Sequence, residues 1–240
     1  MNNTDHEVEN NEESRIRAAY IRRDVKSHDS WFNMANLLLI QDRERKLQQR
    51  LRRYGWTDWQ EKKVLEVGCG SGFWLREMIK FGANPENLSG IDLLPERIAL
   101  ARRLCPADIA FSCGNAVKLD FPDKTFDCVL QSTVFTSILD DSARERLASE
   151  MLRVLRPDGL ILWYDFNMNN PWNSDVRRVS RREIRKLFPR CRIDLRRITL
   201  APPLGRLVAP YSWLLYHLLS MVPFLCTHYL GVIARDKTAG

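Results

Sequence analysis

The stretch Val64-Leu65-Glu66-Val67-Gly68-Cys69-Gly70-Ser71-Gly72 decides how this chain folds. Lys63 to Val67 is a short β-rich run that breaks into glycines at alternate positions, and a helical stretch through Phe81 follows. Alternating glycines let the backbone turn sharply off a strand and approach a ligand closely, while the next helix points its N-terminal amides at the same place. About 20 residues beyond the loop, Asp92 stands at the end of the next β-rich run, Leu88 to Leu93. A carboxylate there can accept from both hydroxyls of a ribose. Glycines alone fit a plain strand-to-helix turn, and Asp92 alone fits a capping or surface carboxylate. Their spacing joins them into a site for a mononucleotide-like ligand.

Working outward, the alternation continues. Pro95 to Leu104 reads as a helix opened by proline, and Ile109 to Cys113 and Phe126 to Gln131 read as strands. Asp140 or Asp141 caps a helix with Leu147, Met151, Val154 and Leu155 on one face, and Pro157-Asp158-Gly159 turns the chain into the strand Leu160 to Asp165. Ser180 to Phe188 is a basic helix, Cys191 to Leu200 a strand and Tyr229 to Ala234 a final strand. Strands alternating with helices at this pitch predict an α/β fold with a doubly wound, mostly parallel, seven-stranded sheet. N-terminal to it, Met34, Leu37, Leu38, Leu47 and Leu51 recur at helical spacing and Gly55 ends the run. The predicted organisation is a mobile acidic tail over 1–14, a helical lid over 15–60 and one domain over 61–240 with a helical insertion near 202–223.

A nicotinamide dehydrogenase uses the same turn and clamp, but its fingerprint needs glycine at position 73, where Phe73 stands. The spacing G-x-G-x-G favours a ligand whose amino-acid part lies over the loop. VLEVGCGSG from Val64, GIDLLPERI from Gly90, FDCVLQ from Phe126 and LRVLRPDGLILWYDF from Leu152 together resemble the class I methyltransferase family, across roughly the middle half of the chain. That resemblance implies S-adenosylmethionine as cofactor. It implies that Glu66 orients the methionine amino group, Gly68 and Gly70 line the methionine moiety, Asp92 binds the ribose and Leu93 packs on adenine. Asn115, followed by Ala116, stands where family members often place an acidic residue for the adenine amine. In this family the segment Gln131 to Val134 faces the transferred methyl. Enzymes that methylate base amines carry an Asn/Asp-Pro-Pro-aromatic motif there, whereas this chain reads Gln-Ser-Thr-Val. Carbon-5 pyrimidine methylation needs a nucleophilic cysteine beside the cofactor, and Cys105-Pro106 follows the second helix instead. Oxygen is therefore the expected acceptor, with Asp165 or His28 as the candidate base for a hydroxyl proton.

Composition bounds the rest. The chain has 240 residues and a net charge of +7, which suits nucleic acid, an anionic membrane or a phosphorylated substrate alike. Met1 to Ser14 is acidic and polar, unlike a secretory signal. The six cysteines form no CxxC pair and the four histidines have no metal spacing, so a reducing cytoplasm is expected and a metal is not. His217 and His228 read as core histidines. Arg177, Arg178, Arg181, Arg182 and Arg185 offer phosphate contacts for a nucleic-acid adaptor, yet without interleaved aromatics they read more simply as a solvated helix face. Trp213, Leu214, Leu215, Leu218 and Leu219 form an apolar run too short to span a bilayer, either a helix on its own core or an interfacial one. The segments WYDFNMNNPWNSDVRRVSRREIRKLFP and THYLGVIAR resemble bacterial methyltransferases of glycan and natural-product biosynthesis. The implied acceptor is a sugar hydroxyl of a glycan or glycolipid precursor, with a lipid, quinone or secondary metabolite as the alternative, and with peripheral contact to the inner membrane compatible with either.

Overall fold

A computed structural model describes residues 3–22, 32–170 and 173–236, with side chains from position 11 onward. The chain begins with α1 (Asn3–Arg22) and α2 (Met34–Arg53), then alternates through β1 (Val64–Val67), α3 (Phe73–Lys80), β2 (Leu88–Asp92), α4 (Pro95–Leu104), β3 (Ala110–Cys113) and β4 (Phe126–Ser132). It continues with α5 (Asp141–Val154), β5 (Leu155–Phe166), α6 (Arg181–Leu187), β6 (Cys191–Leu200), α7 (Pro202–Val208), α8 (Trp213–Ser220) and β7 (Cys226–Arg235). The seven strands form one sheet in the order β3-β2-β1-β4-β5-β7-β6, parallel from β3 to β5, with β7 antiparallel to both its neighbours. The order reverses at β1, which pairs with β2 on one side and β4 on the other. In open parallel sheets the crevice at such a reversal is where ligands bind.

Strand alternation divides the core. Leu65, Val67, Val129, Ile161 and Trp163 pack to one face with α5 and α6; Val64, Cys128, Leu130, Leu160 and Leu162 pack to the other with α3. Each such fully buried aliphatic side chain contributes about 1.5 to 3 kcal/mol. Both faces are covered, which is why the strands read as near-continuous apolar runs. The same alternation puts Glu66 on the face of Val64 and Asp165 on the face of Trp163.

Two expectations change. The polar segment expected as a tail is helical from Asn3 on, as the first part of α1. Pro157-Asp158-Gly159 lies within β5, whose pairing with β4 shifts register between Phe126 and Cys128. A side chain at Gly159 would come within 2.7 Å of the Asp127 carbonyl oxygen, so glycine keeps the two strands together there. The insertion is two short helices, α7 and α8, split at Pro210.

Candidate active site

The glycine loop and Asp92 meet at the switch point. Gly68, Gly70 and Gly72 all have positive φ, at 65°, 53° and 72°. A Cβ at Gly68 would lie 2.4 Å from Val134 Cγ2, whereas above Gly70 nothing lies within 4 Å. The loop is thus pressed against the end of β4 at one glycine and open to a ligand at the next. The Gly70 amide donates to Asp92 Oδ2 at 2.8 Å and the Leu94 amide to Oδ1 at 3.0 Å, so the carboxylate is held at the crevice rim. Burial raises its pKa, with the two amides pulling it back.

Beneath the loop lies the part of the site that fits an amino-acid moiety. Glu66 is 2% exposed, its Oε2 has no donor among the described residues, and burial, then Asp92, push its pKa well up. A buried acceptor without a donor is satisfied by an ammonium group. Arg43 of α2, which the sequence reading passed over, supplies the complementary charge. Its guanidinium stands 4.4 Å from the ring of Trp74, 4.9 Å from Phe73 and 5.2 Å from Tyr164, and its Nε has no partner among the described residues. Behind it, His228 stacks on Tyr164 at 4.6 Å and packs on Phe166 at 4.0 Å; burial pushes its pKa down to about 3, so the ring is neutral. His228 is a core histidine, as its apolar surroundings in the sequence led one to expect.

Beyond Asp92 the crevice opens into a cleft at the ends of the strands. Gly68, Asp92, Leu93, Asn115 and Ala116 all line it. Asn115 Oδ1 already accepts from the Val117 amide at 3.1 Å and turns its other end toward Glu13. Helix α1 forms the outer wall through Ile16 and Tyr20. It is fastened by Arg15, which donates to the Ser137 carbonyl at 2.5 Å, by Glu12, which accepts from the Leu139 amide at 2.6 Å, and by Arg22, paired with Asp175 at 2.9 Å.

Gln131 and Asp165 do not line this cleft. Gln131 is fully buried, and its Oε1 accepts from the Val134 amide at 3.2 Å; it shapes the loop at the end of β4 without lining the cleft. Asp165 is fully buried as well. Its Oδ2 accepts from the Thr136 amide at 3.2 Å and its Oδ1 from the Phe166 amide at 2.9 Å, while burial raises its pKa to about 7 against the pull of those amides and Arg144. The loop 133–138 folds over this candidate base. His28 lies outside the described residues. That same loop holds Thr133 at φ 58°, tied by its amide to the Tyr164 carbonyl at 2.8 Å, a strained setting for a β-branched residue. On the loop's far side a second cavity is bounded by Thr133, Thr136, Ser137, Phe166, Met168 and Asn173 among others, and it shares Ser137 with the cofactor cleft. The arginines proposed for nucleic acid are partly engaged, Arg177 by Asp141 and Glu183, and Arg181 by the Leu195 carbonyl at 2.8 Å.

A doubly wound sheet with this strand order, a glycine loop at its switch point and a carboxylate at the end of β2 defines a fold that binds a nucleoside-bearing cofactor. Residues 64–159 match the methyltransferase domain family. The chain superposes on the PH0226 protein of Pyrococcus horikoshii with a TM-score of 0.59 at 18% identity, over 82% of this chain and 91% of that one. It is 34% identical to the 2-methyl-6-phytyl-1,4-hydroquinone methyltransferase of Synechocystis, over 45% of this chain and 33% of that protein. It is 34% identical to the sterol 24-C-methyltransferase of Aspergillus fumigatus, over 47% and 30%, and 38% identical to the fatty-acid O-methyltransferase of Mycolicibacterium smegmatis, over 45% and 39%. The matched part is thus about a third of each relative's length. Over residues 64–159 the chain resembles S-adenosylmethionine-dependent methyltransferases, and the unpartnered Glu66 carboxylate, the open space over Gly70 and the clamp at Asp92 fit that cofactor.

Proposed function

We propose that the protein transfers a methyl group from S-adenosylmethionine to a hydroxyl of a small neutral acceptor with an apolar part, a lipid or a lipid-linked sugar. The observation behind this reading is the second cavity: its described lining pairs hydroxyls and two carboxamides with Phe166, Met168 and Val176 and includes no charged side chain. Hydroxyl and amide groups of that kind hydrogen-bond a hydroxylated acceptor, and the absence of charge disfavours phosphates. The relatives named above support the apolar part, since phytyl hydroquinone, sterol and fatty acid each combine a hydrocarbon body with a small polar end. When bound, the cofactor supplies an electrophilic sulfonium methyl. What the chain contributes is alignment: Glu66 and Arg43 take the two ends of the amino acid, Asp92 the ribose, and the loop 133–138, shared by cleft and cavity, sets the acceptor's angle of approach. Incubating the protein with methyl-labelled cofactor and a total lipid extract should place label in an organic-soluble product that resists mild base, as a methyl ether does. Label appearing only in RNA, in protein or in water-soluble metabolites would refute the acceptor class.

Arg43→Gln tests the cofactor pose. It should weaken S-adenosylhomocysteine binding by about 10- to 150-fold, the worth of a hydrogen bond to a charged group, and leave methylthioadenosine, which lacks the carboxylate, unchanged. Equal loss for both ligands would make Arg43 a packing residue.

In this reading Asp165 positions the loop and does not take the acceptor's proton. Asp165→Asn replaces an acceptor by a donor facing an amide and should cost about 1 to 3 kcal/mol of stability while keeping the shape of the pH–rate profile. Because the folded pKa is raised from 3.8 to about 7, the wild type is most favoured below pH 4 and loses that advantage as pH rises to 7. Urea midpoints at several pH values should therefore show the gap between the two proteins narrowing upward through that window. Loss of turnover by about 100-fold with the midpoint unmoved would restore Asp165 as the general base.

A further inference from the structure

Helices α7 and α8 and the turn after them leave the sheet between β6 and β7 and present an apolar surface that the described fold does not cover. Tyr216 and Ser220 seat α8 inward. Outward, Trp213, Leu214 and Leu218 are 65%, 55% and 54% exposed, and Met221 and Phe224 in the following turn are 74% exposed each. So dense a group of large exposed apolar side chains marks an interaction site. Among the described residues no helix is long and apolar enough to cross a membrane, so spanning does not account for it.

The charge beside this ledge identifies what covers it. Met221 and Pro223 also form one side of a broad groove whose other side carries Lys46, Arg50, Arg53, Arg196 and Arg197. Lys46 is held by Asp42 and Arg50 by Asp194, both at 2.6 Å. Arg53, Arg196 and Arg197 are exposed and make no ion pair with a described residue. Free cations next to an apolar ledge match the two layers of an anionic bilayer surface, phosphates above and acyl chains below. A second copy of this chain on the same face would bring like charges together, which opposes association.

We propose that α8 and the turn after it dock the protein on an anionic lipid surface, with Trp213, Leu214, Leu218, Met221 and Phe224 at the headgroup–acyl boundary and Arg53, Arg196 and Arg197 on lipid phosphates. The docking is independent of which acceptor the site uses.

The test is co-sedimentation of the full chain with vesicles of phosphatidylcholine alone and of phosphatidylcholine mixed equally with phosphatidylglycerol. The protein should pellet with the mixed vesicles and stay in solution with the neutral ones. Leu214→Asp combined with Leu218→Asp, and separately Arg196→Glu combined with Arg197→Glu, should each reduce the bound fraction by about tenfold or more, with S-adenosylhomocysteine binding retained as the check of folding. The single exposed variant Trp213→Ser should lower binding in the same direction. Equal binding to neutral and anionic vesicles, no binding to either, or unchanged binding of the apolar variants would overturn the proposal. So would light scattering that finds a dimer which the leucine variant dissolves, since a second copy would then own the surface.

Discussion

Arg144→Ala is expected to cost the fold about 3 to 5 kcal/mol, the loss typical when one partner of a buried charged network is removed. Arg144 is fully buried in α5, where Nε donates to the Ile138 carbonyl at 2.7 Å, Nη2 donates to the Arg177 carbonyl at 3.2 Å and Nη1 pairs with Glu183. Glu183 in turn closes a capping box with Ser180 at the start of α6. One guanidinium therefore fastens the loop that walls the cofactor cleft, the segment before α6 and the cap of α6 itself. Alanine leaves two carbonyls and a carboxylate without that donor. Chemical denaturation measures the loss directly. A shift below about 1 kcal/mol would show that water takes over the guanidinium's contacts.

Asp92→Ala should raise the dissociation constant for S-adenosylhomocysteine by about 10- to 150-fold, corresponding to the 1.5 to 3 kcal/mol of hydrogen bonds to a charged group. The effect has two sources. The ribose loses its acceptor, and the amides of Gly70 and Leu94 lose the oxygen that orders the loop. Asp92→Asn separates them, because a carboxamide oxygen can keep one amide in place while its amino group disturbs the other contact. Calorimetric titration reads both variants. An affinity within threefold of wild type for Asp92→Ala would move the ribose to another part of the cleft.

The sheet and the cofactor loop were readable from sequence because their signals are local. Glycine at 68 and 70 answers to backbone geometry, and runs such as Val64–Val67 and Leu160–Leu162 are apolar because both faces of a parallel sheet are buried. The start of helix α1 was not readable for the opposite reason. Its start is polar, and it is fastened by Glu12, Arg15 and Arg22 to residues far along the chain, so no periodicity within the helix reports it. Asp165 shows the same limit at the site. A carboxylate at a strand end resembles Asp92 in sequence, and only the fold of residues 133–138 over it separates a buried anchor from a rim clamp. Arg43 was one basic residue among many in α2, and its distinction is the set of aromatic rings that the sheet brings around it.

Strand β7 pairs with β5 on one side and β6 on the other, yet it follows both in the chain. During synthesis β5 and β6 therefore emerge with no neighbour on the sides they will later share, and they wait as open edges until residues 226–235 leave the ribosome. Open edges are templates for the wrong partner. The order of the sheet thus sets a clock on biogenesis: everything through β5 can assemble as it appears, whereas the far edge closes in a single late step that inserts one strand between two that are already made.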